Sequence, residues 1–512
     1  MRRFSFQALT SFLCWVWFFD LTLHSQPVAP RRSGEETARL YCQNCHLFPE
    51  PKLLDQHTWL THSLRQMAPF LGVGRMDFSN RPDGQILEKS GLFPKEPLMP
   101  KEDWYAILKY YGDNAPAEPL PQAPREPIST SLAEFKARPI ASMQTPSMCS
   151  LVQIDSVRRQ IITADWTREA VDILDQAGAR KESFHLSGGP VALLERKGRF
   201  YAALIGHIFP TDEPAGSLVS WDATDPSRQI QLILTNLPRP TWANLTDVNG
   251  DGRDDLVLCF FGNKVGRFSW FESKGSSYEE HVLLDRPGAI RSYIVDANND
   301  GNPDILVLMA QAREGIYLFV NDGKGRFAMR TILEEHPLFG FSYFELVDFN
   351  KDGFPDILVT NGDNGDYQSP MKNYHGIRLL LNDGQWNFKQ AWFYPLNGAF
   401  RAMAADFDGD GDLDIAAISF FPDYEKSPEE SFVYLENQGE FKFKASSFPE
   451  STDGRWVTMD VGDLNGDGRP DIVLGSFSRG PVSIPIPRSL QERWETNHVS
   501  LMLLENRARK KE

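Results

Sequence analysis

A ring of seven four-stranded blades, a β-propeller, behind a small helical domain is the mainly β fold that the 512-residue sequence predicts. Three observations lead to it. An acidic nine-residue pattern, D-x-[DN]-x-D-G-x-x-D, opens at Asp247, Asp296, Asp348, Asp406 and Asp463, at intervals of 49, 52, 58 and 57 residues. A period in this range marks propellers and other repeat arrays. Each copy runs into an apolar strand, then a third strand with a turn (Ile316 to Gly323, Leu379 to Gly384, Val433 to Gly439), then an outer strand holding Phe327, Phe388 or Phe441. With the strand before the loop, that makes four per unit, which is a blade. The chain before residue 115 has another character, with helical spacing and a cysteine motif.

Composition narrows the class of protein. A net charge of −16 argues against nucleic-acid binding. Much of the acid lies in the five loops, so the charge is mainly a metal signature and says little about a basic partner. At the N-terminus, Arg2 and Arg3 precede an apolar run from Phe4 to about Leu23, broken by Asp20. This reads as a secretory signal over residues 1–25, with an uncleaved membrane anchor as the alternative. Leu13 before Cys14 makes lipidation a poor reading. The chain is expected to leave the cytoplasm, for the periplasm, the outer surface or the medium.

Residues 33–114 are expected to form an all-α c-type haem domain. Cys42-Gln43-Asn44-Cys45-His46 places two thiols where they can form thioethers to haem vinyl groups, with the adjacent histidine on iron. A redox C-x-x-C is the competitor, and the absence of a surrounding βαβ pattern weakens it. Leu53, Leu60, Leu64 and Met67 fall at helical spacing, so Met67 is either core or the distal thioether ligand. Met99, in Leu98-Met99-Pro100, is the second candidate, and Met67 is preferred. His57 and His62 read as surface or capping residues. The C-x-x-C-H-L-F-P-E-P run, Trp59 to Gly72 and Asp103 to Pro116 resemble the haem modules that precede repeat propellers in some bacterial secreted proteins.

From 115 to 130 the chain turns Pro-rich, a semi-rigid spacer. The propeller is expected over 131–512, with no helix beyond Ser131. Two units without convincing ligand sets precede the first clear loop, since Asp155 and Asp247 lie 92 residues apart, close to two periods. The last unit stops at Asn506, one strand short. Ser131–Ile140, with Phe135, is expected to supply the missing outer strand and close the ring.

Oxygen side chains at positions 1, 3, 5 and 9 suit a hard cation, and the carbonyl of position 7 adds another ligand. Glycine at position 6 supplies the left-handed turn. An EF-hand would need a glutamate at position 12 and flanking helices. Leu258, Val307, Val359, Ala417 and Leu474 stand there instead, and Pro303, Pro355 and Pro470 interrupt the loops. Plain Asx turns explain the glycine but not the repeated carboxylates. The repeats from about 131 onward resemble the FG-GAP/VCBS family, the propeller of integrin α-subunits and many exported bacterial proteins. The resemblance implies about five calcium sites. Their residues would be Asp247, Asn249, Asp251 and Asp255; Asp296, Asn298, Asp300 and Asp304; Asp348, Asn350, Asp352 and Asp356; Asp406, Asp408, Asp410 and Asp414; and Asp463, Asn465, Asp467 and Asp471.

Five residues before the loops stand Trp242, Arg291, Tyr343, Arg401 and Thr458, with Arg239 and Arg455 three earlier. These can bind an anionic ligand in the channel, or the arginines can pair with loop carboxylates. Three functions compete. One is electron transfer through haem c, with the calcium-stabilised propeller docking a redox partner protein or extracellular ligand. The second is an oxidoreductase with a channel site feeding the haem. The third is an adhesion or binding module.

Overall fold

The computed structural model describes residues 32–141, 147–225, 227–365, 369–480 and 484–508. The expected signal or anchor over residues 1–25, and Cys14 with it, lie outside the described residues. Among the described residues no helix is long and apolar enough to cross a membrane.

Seven four-stranded antiparallel sheets follow one another. Blade 1 runs from inner strand Cys149–Asp155 to outer strand Arg180–His185, and blade 2 from Pro190–Arg196 to Gln231–Leu237. Blade 3 spans Pro240–Thr246 to Tyr278–Leu284, and blade 4 spans Ala289–Val295 to Phe327–Glu335. Blade 5 spans Phe341–Val347 to Phe388–Pro395, and blade 6 spans Ala399–Ala405 to Phe443–Ser446. Blade 7 takes Trp456–Gly462, Asp471–Ser476 and Val499–Asn506 from the end of the chain. Its outer strand is Phe135–Ala141, paired antiparallel with Val499–Asn506 from Phe135↔Asn506 onward. The ring therefore closes as the sequence reading expected, with strands from both ends of the repeat region in one sheet.

Second strands are continuous apolar runs because each is covered on both faces. Asp255–Phe260, Asp304–Met309 and Asp356–Asn361 are buried at every position. Apolar clusters sit between neighbouring blades; Val257, Phe268 and Trp270 of blade 3, for example, pack with Ile305, Val307 and Tyr317 of blade 4. In such a meander the first-to-second and third-to-fourth connections share one rim. The second-to-third and blade-to-blade connections share the other. The acidic loops all lie on the first rim.

One expectation fails. A helix, Arg488–Asn497, does occur beyond Ser131, inside the second-to-third connection of blade 7. Leu490 and Trp494, four residues apart on one face, bury against Tyr424, Phe420 and Phe477. Its other positions are mostly polar, so the sequence carries little apolar periodicity there.

The N-terminal domain is helical. Helix Gly34–Cys42 starts on a capping box: the Glu36 N–H donates to Ser33 Oγ at 3.1 Å and the Ser33 N–H donates to Glu36 Oε2 at 2.8 Å. It crosses helix Lys101–Asn114 at Gly34, where a Cβ would sit 2.8 Å from the Ala106 carbonyl oxygen. Between them Gln56–Thr58, Trp59–Ser63 and Leu64–Met67 run on as α, π and α turns. Trp59 and Tyr111 pack with tilted rings at 4.3 Å in the core, and each satisfies its polar end on a backbone carbonyl, of Pro51 and Pro49 respectively.

The Pro-rich spacer is anchored to the propeller along part of its length. Arg125 reaches the buried Glu430 at 2.6 Å and the Pro395 carbonyl at 2.9 Å. Ser129 pairs with Ser446 at the outer edge of blade 6.

After each acidic loop, the third strand of blades 4 to 7 ends on a buried or nearly buried asparagine: Asn321, Asn382, Asn437 and Asn506. Asn506 Nδ2 donates to the Phe407 carbonyl of blade 6 at 2.8 Å and to the Pro470 carbonyl at 3.1 Å. Asn321 binds the Val248 carbonyl of blade 3 in the same way, at 2.8 Å. Asn506→Ala should leave two buried carbonyls without donors and cost about 1–3 kcal/mol. This is measured as a lower thermal midpoint, with exposed Arg507→Ala as the unchanged control.

Candidate functional site

The five acidic loops share one geometry. Glycine at position 6 has φ of 85°, 82°, 90°, 94° and 79° at Gly252, Gly301, Gly353, Gly411 and Gly468, the left-handed region where a side chain is strained. Position 1 accepts N–H groups from its own loop, as when Gly252 donates to Asp247 Oδ2 at 2.8 Å and Gly468 to Asp463 Oδ2 at 2.9 Å. Asp296, Asp348 and Asp406 do the same for Gly301, Gly353 and Gly411. Position 3 joins in: Asn249, Asn298, Asn350, Asp408 and Asn465 each accept the N–H of position 5. Oxygens of Asp406, Asp408 and Asp410 lie within 4.8 Å of one another, close enough for one cation to touch all three.

Position 9 does more than the sequence reading assigned to it. Asp255, Asp304, Asp356, Asp414 and Asp471 are almost wholly buried. One oxygen of each accepts the N–H of position 2: Val248, Ala297, Phe349, Phe407 or Leu464. The other accepts an N–H at the end of the third strand: Ser273, Asn321, Asn382, Asn437 or Asn506. These aspartates are latches between loop and sheet; Asp414 Oδ2 also accepts the Tyr434 hydroxyl at 2.8 Å and Asp356 Oδ2 the Asn350 N–H at 3.4 Å, while the other carboxylate oxygens keep a second lone pair that a cation can use. Burial pushes Asp414 up to about 7 and Asp471 to about 6. In two loops the arginine at position 7 folds back on position 5, Arg253 on Asp251 and Arg469 on Asp467. The donor set fits a hard divalent ion.

On the opposite rim the C-x-x-C-H turn follows directly from the C-terminus of helix Gly34–Cys42. Cys42 and Cys45 are free thiols, and burial pushes Cys42 up to about 11. His46 Nδ1 lies 2.9 Å from the Leu47 carbonyl. A carbonyl only accepts, so Nδ1 carries the proton and Nε2 is left with its lone pair. This is the tautomer an iron ligand needs. Leu40 and Leu47, on either side of the motif, leave 44% and 42% of their surface exposed, which an apolar ligand would cover. Met67 is 37% exposed at the end of its helix, whereas Met99 is 4% exposed, packed in the core with Trp59 and Tyr111. The Leu98 N–H donates to the Leu71 carbonyl at 3.0 Å, bringing the two methionine segments side by side. The residues fit a covalently held haem. His57 and His62 lie edge to face on each other, 6.1 Å apart.

The turn rests on the propeller. Arg313, in the second-to-third connection of blade 4, donates from Nε to the Cys45 carbonyl at 3.2 Å. Leu338, between blades 4 and 5, packs into the helical core. His336 beside it is pushed down to about 3 by burial, with the charges of Lys372 and Arg378 and the neighbouring His46 adding to the effect. Farther along, buried Asp83 accepts the Asp212 N–H of blade 2 at 3.0 Å, and Asp212 Oδ1 collects three N–H groups from Asn263, Lys264 and Val265 of blade 3.

Around the axis, among the described residues, Arg291 and Arg401 form no ion pair with the loop carboxylates. Arg291 of blade 4 stacks over Trp242 of blade 3 at 4.0 Å, and over Tyr293 and Tyr343 at 5.0 and 4.9 Å. Arg401 of blade 6 lies 4.7 Å from the centroid of the same Tyr343 ring and donates to the Met459 carbonyl at 2.7 Å. Arg239 is spent on the carbonyls of Gly262, His207 and Ile208, and Arg455 sits 3.8 Å over Phe420. Two residues beyond Tyr343 and Thr458 come Glu345 and Asp460, each accepting a backbone N–H from a neighbouring blade, Ala404 at 2.8 Å and Ile154 at 2.7 Å.

A profile described as the FG-GAP-like repeat matches residues 247–307, 296–359, 348–417 and 427–474. The chain carries FG-GAP-like repeats. The first three matches each run from position 1 of one acidic loop to position 12 of the next, so each takes in a loop, the second and outer strands, the following inner strand and the next loop. Blades 1 and 2 and the helical domain lie outside the matched residues. No curated protein matches the chain. Among solved structures, the N-terminal domain of Nup159 is similar at 12% identity and a TM-score of 0.41, covering 75% of this chain and 99% of that one. The Myceliophteria thermophila Cps50 (Swd1) β-propeller domain is similar at 11% and 0.44, covering 72% and 99%. BBS1N in complex with ARL6DN is similar at 10% and 0.43, covering 73% and 97%. Likenesses of this grade add nothing to what the sheet order already shows.

Burial pushes Glu345 up to about 7, despite the Ala404 N–H and the charges of Arg291 and Arg401 pulling it down. A raised folded-state value means the fold favours the protonated acid. Its contribution is present below the ordinary carboxylate range and is lost as pH rises through about 7. Glu345→Gln should therefore raise the thermal midpoint at mildly alkaline pH and leave it unchanged at acid pH, as followed by circular dichroism melts.

Proposed function

We propose that the chain is an exported haem c protein that transfers electrons, with a calcium-stabilised propeller as the platform on which a redox partner docks. The observation that carries this reading is the C-x-x-C-H turn: two unpaired thiols and a histidine whose Nε2 lone pair is open, on the rim of a rigid ring. Cys42 and Cys45 would hold the group and His46 would ligate its iron. A haem bound there supplies one-electron transfer. Met67 is the preferred distal ligand, because its thioether is accessible while that of Met99 already fills the core. Arg313 fixes the turn through the Cys45 carbonyl, so the haem edge and the propeller rim would present one surface to a partner. Export to the periplasm or beyond is part of the same reading, since it provides the compartment where such attachment takes place.

Haem is expected to migrate with the unfolded polypeptide on a denaturing gel after periplasmic expression with maturation factors. Cys42→Ala combined with Cys45→Ala should abolish that staining. A wild-type chain that carries no haem under these conditions defeats the electron-transfer reading.

Calcium in the five loops would bind the folded ring and not the unfolded chain. Each site then adds about 2.7 kcal/mol at a hundredfold excess over its Kd. Chelation should lower the thermal midpoint, and Asp410→Ala should remove one equivalent of bound ion while sparing the rest. An unchanged midpoint on chelation rules calcium out as a stabiliser.

A further inference from the structure

Two guanidinium groups at the propeller axis have no carboxylate within ion-pairing distance among the described residues. Arg291 has one hydrogen bond there, from Nε to the Tyr293 hydroxyl at 3.0 Å, and Arg401 has one, to the Met459 carbonyl. Enclosed charges are ordinarily paired. Two other enclosed arginines differ: Arg239 has three carbonyl acceptors, and Arg125 has Glu430. Arg291 and Arg401 instead share a single ring, that of Tyr343, each with its guanidinium carbon within 5 Å of the centroid. Like charges so placed repel each other, and an anion between them relieves that repulsion.

The layout of the inner strands favours such a guest. Trp242, Arg291, Tyr343, Arg401 and Thr458 occupy equivalent positions on five successive blades, opposite Cys259, Leu308, Thr360, Ile418 and Gly475 in the second strands. They form one tier, nearer the rim that carries the helical domain. The acidic groups, Glu345 and Asp460, stand one tier on toward the acidic loops, about 6–7 Å along the strands. There each is held by a backbone N–H. The axis is thus segregated into a cationic tier and a carboxylic tier.

We propose that the cationic tier is a binding site for a small multivalent oxyanion, held by Arg291 and Arg401 across the face of Tyr343. Guanidinium forks match carboxylate and phosphate oxygens, and charge-assisted bonds of this kind gain strength out of bulk water. A ligand a few atoms long reaches both arginines, so a short dicarboxylate and inorganic phosphate share the required chemistry. This site stands independently of the electron-transfer reading, because it uses no residue of the helical domain.

Titration calorimetry of the full-length, calcium-loaded protein with succinate and, separately, with inorganic phosphate tests the site and tells the two sources apart. Saturable binding of at least one is expected, weakened tenfold or more by Arg291→Gln and by Arg401→Gln. Arg267→Gln, on the outer part of blade 3 where Arg267 pairs with Glu280, should bind as the wild type does. A second measurement needs no variant. Phenylglyoxal labelling mapped by mass spectrometry should show Arg291 and Arg401 protected by the bound anion, with Arg267 unprotected. Absence of binding by both anions overturns the proposal, as does binding that neither substitution weakens or that protects neither arginine.

Discussion

A buried aspartate that holds three pieces of chain at once is the interaction on which the ring depends. In blade 4, Asp304 joins the Ala297 N–H of its own loop to the Asn321 N–H at the end of the third strand. Four other blades repeat the arrangement. Hydrogen bonds to a charged group contribute about 1.5–3 kcal/mol each, and here both oxygens are used in a site closed to water. The register of first, second and third strands follows from this one residue. The asparagine that ends the third strand carries the restraint sideways, from Asn321 to Val248 and from Asn506 to Phe407, into the preceding blade. Loop, blade and ring are therefore a single mechanical unit.

That unit separates two chemistries. The acidic turns occupy one rim, where first and second strands meet. The cysteine motif, the spacer and the long second-to-third connections of blades 2, 5, 6 and 7 gather on the other. Docking there is polar and specific: Asp83 on the Asp212 N–H, Arg313 on the Cys45 carbonyl, Arg125 on Glu430. A change in metal occupancy on one side would reach the other only through the stiffness of the strands.

Much of this was legible in the amino-acid order. The period of the acidic pattern, glycine at position 6 and the missing last strand define the ring and its closure, because turn chemistry and strand count are local properties. The latch role of Asp255 and its counterparts was not legible, since a ligand and a hydrogen-bond acceptor are the same carboxylate in sequence. The asparagine before Asp322 was visible only as a turn marker, and its contact to the preceding blade needed three dimensions. Helix Arg488–Asn497 escaped because two apolar residues carry its packing. Arg291 and Arg401 were read as axial, yet their stacking on Trp242 and Tyr343 joins blades about fifty residues apart, a relation no local pattern encodes.

The seam in blade 7 has a consequence for synthesis. Ile140 meets Ser500 across 360 residues, so the strand Phe135–Ala141 leaves the ribosome long before its partner exists. During that interval it is an unpaired edge, the kind of segment that recruits wrong neighbours. Pro139 removes one ladder donor from it, and Lys136 and Arg138 put charge on it, features that discourage association with other strands. The strand stays available until Val499–Asn506 emerges, and the pairing of these two strands completes the circle.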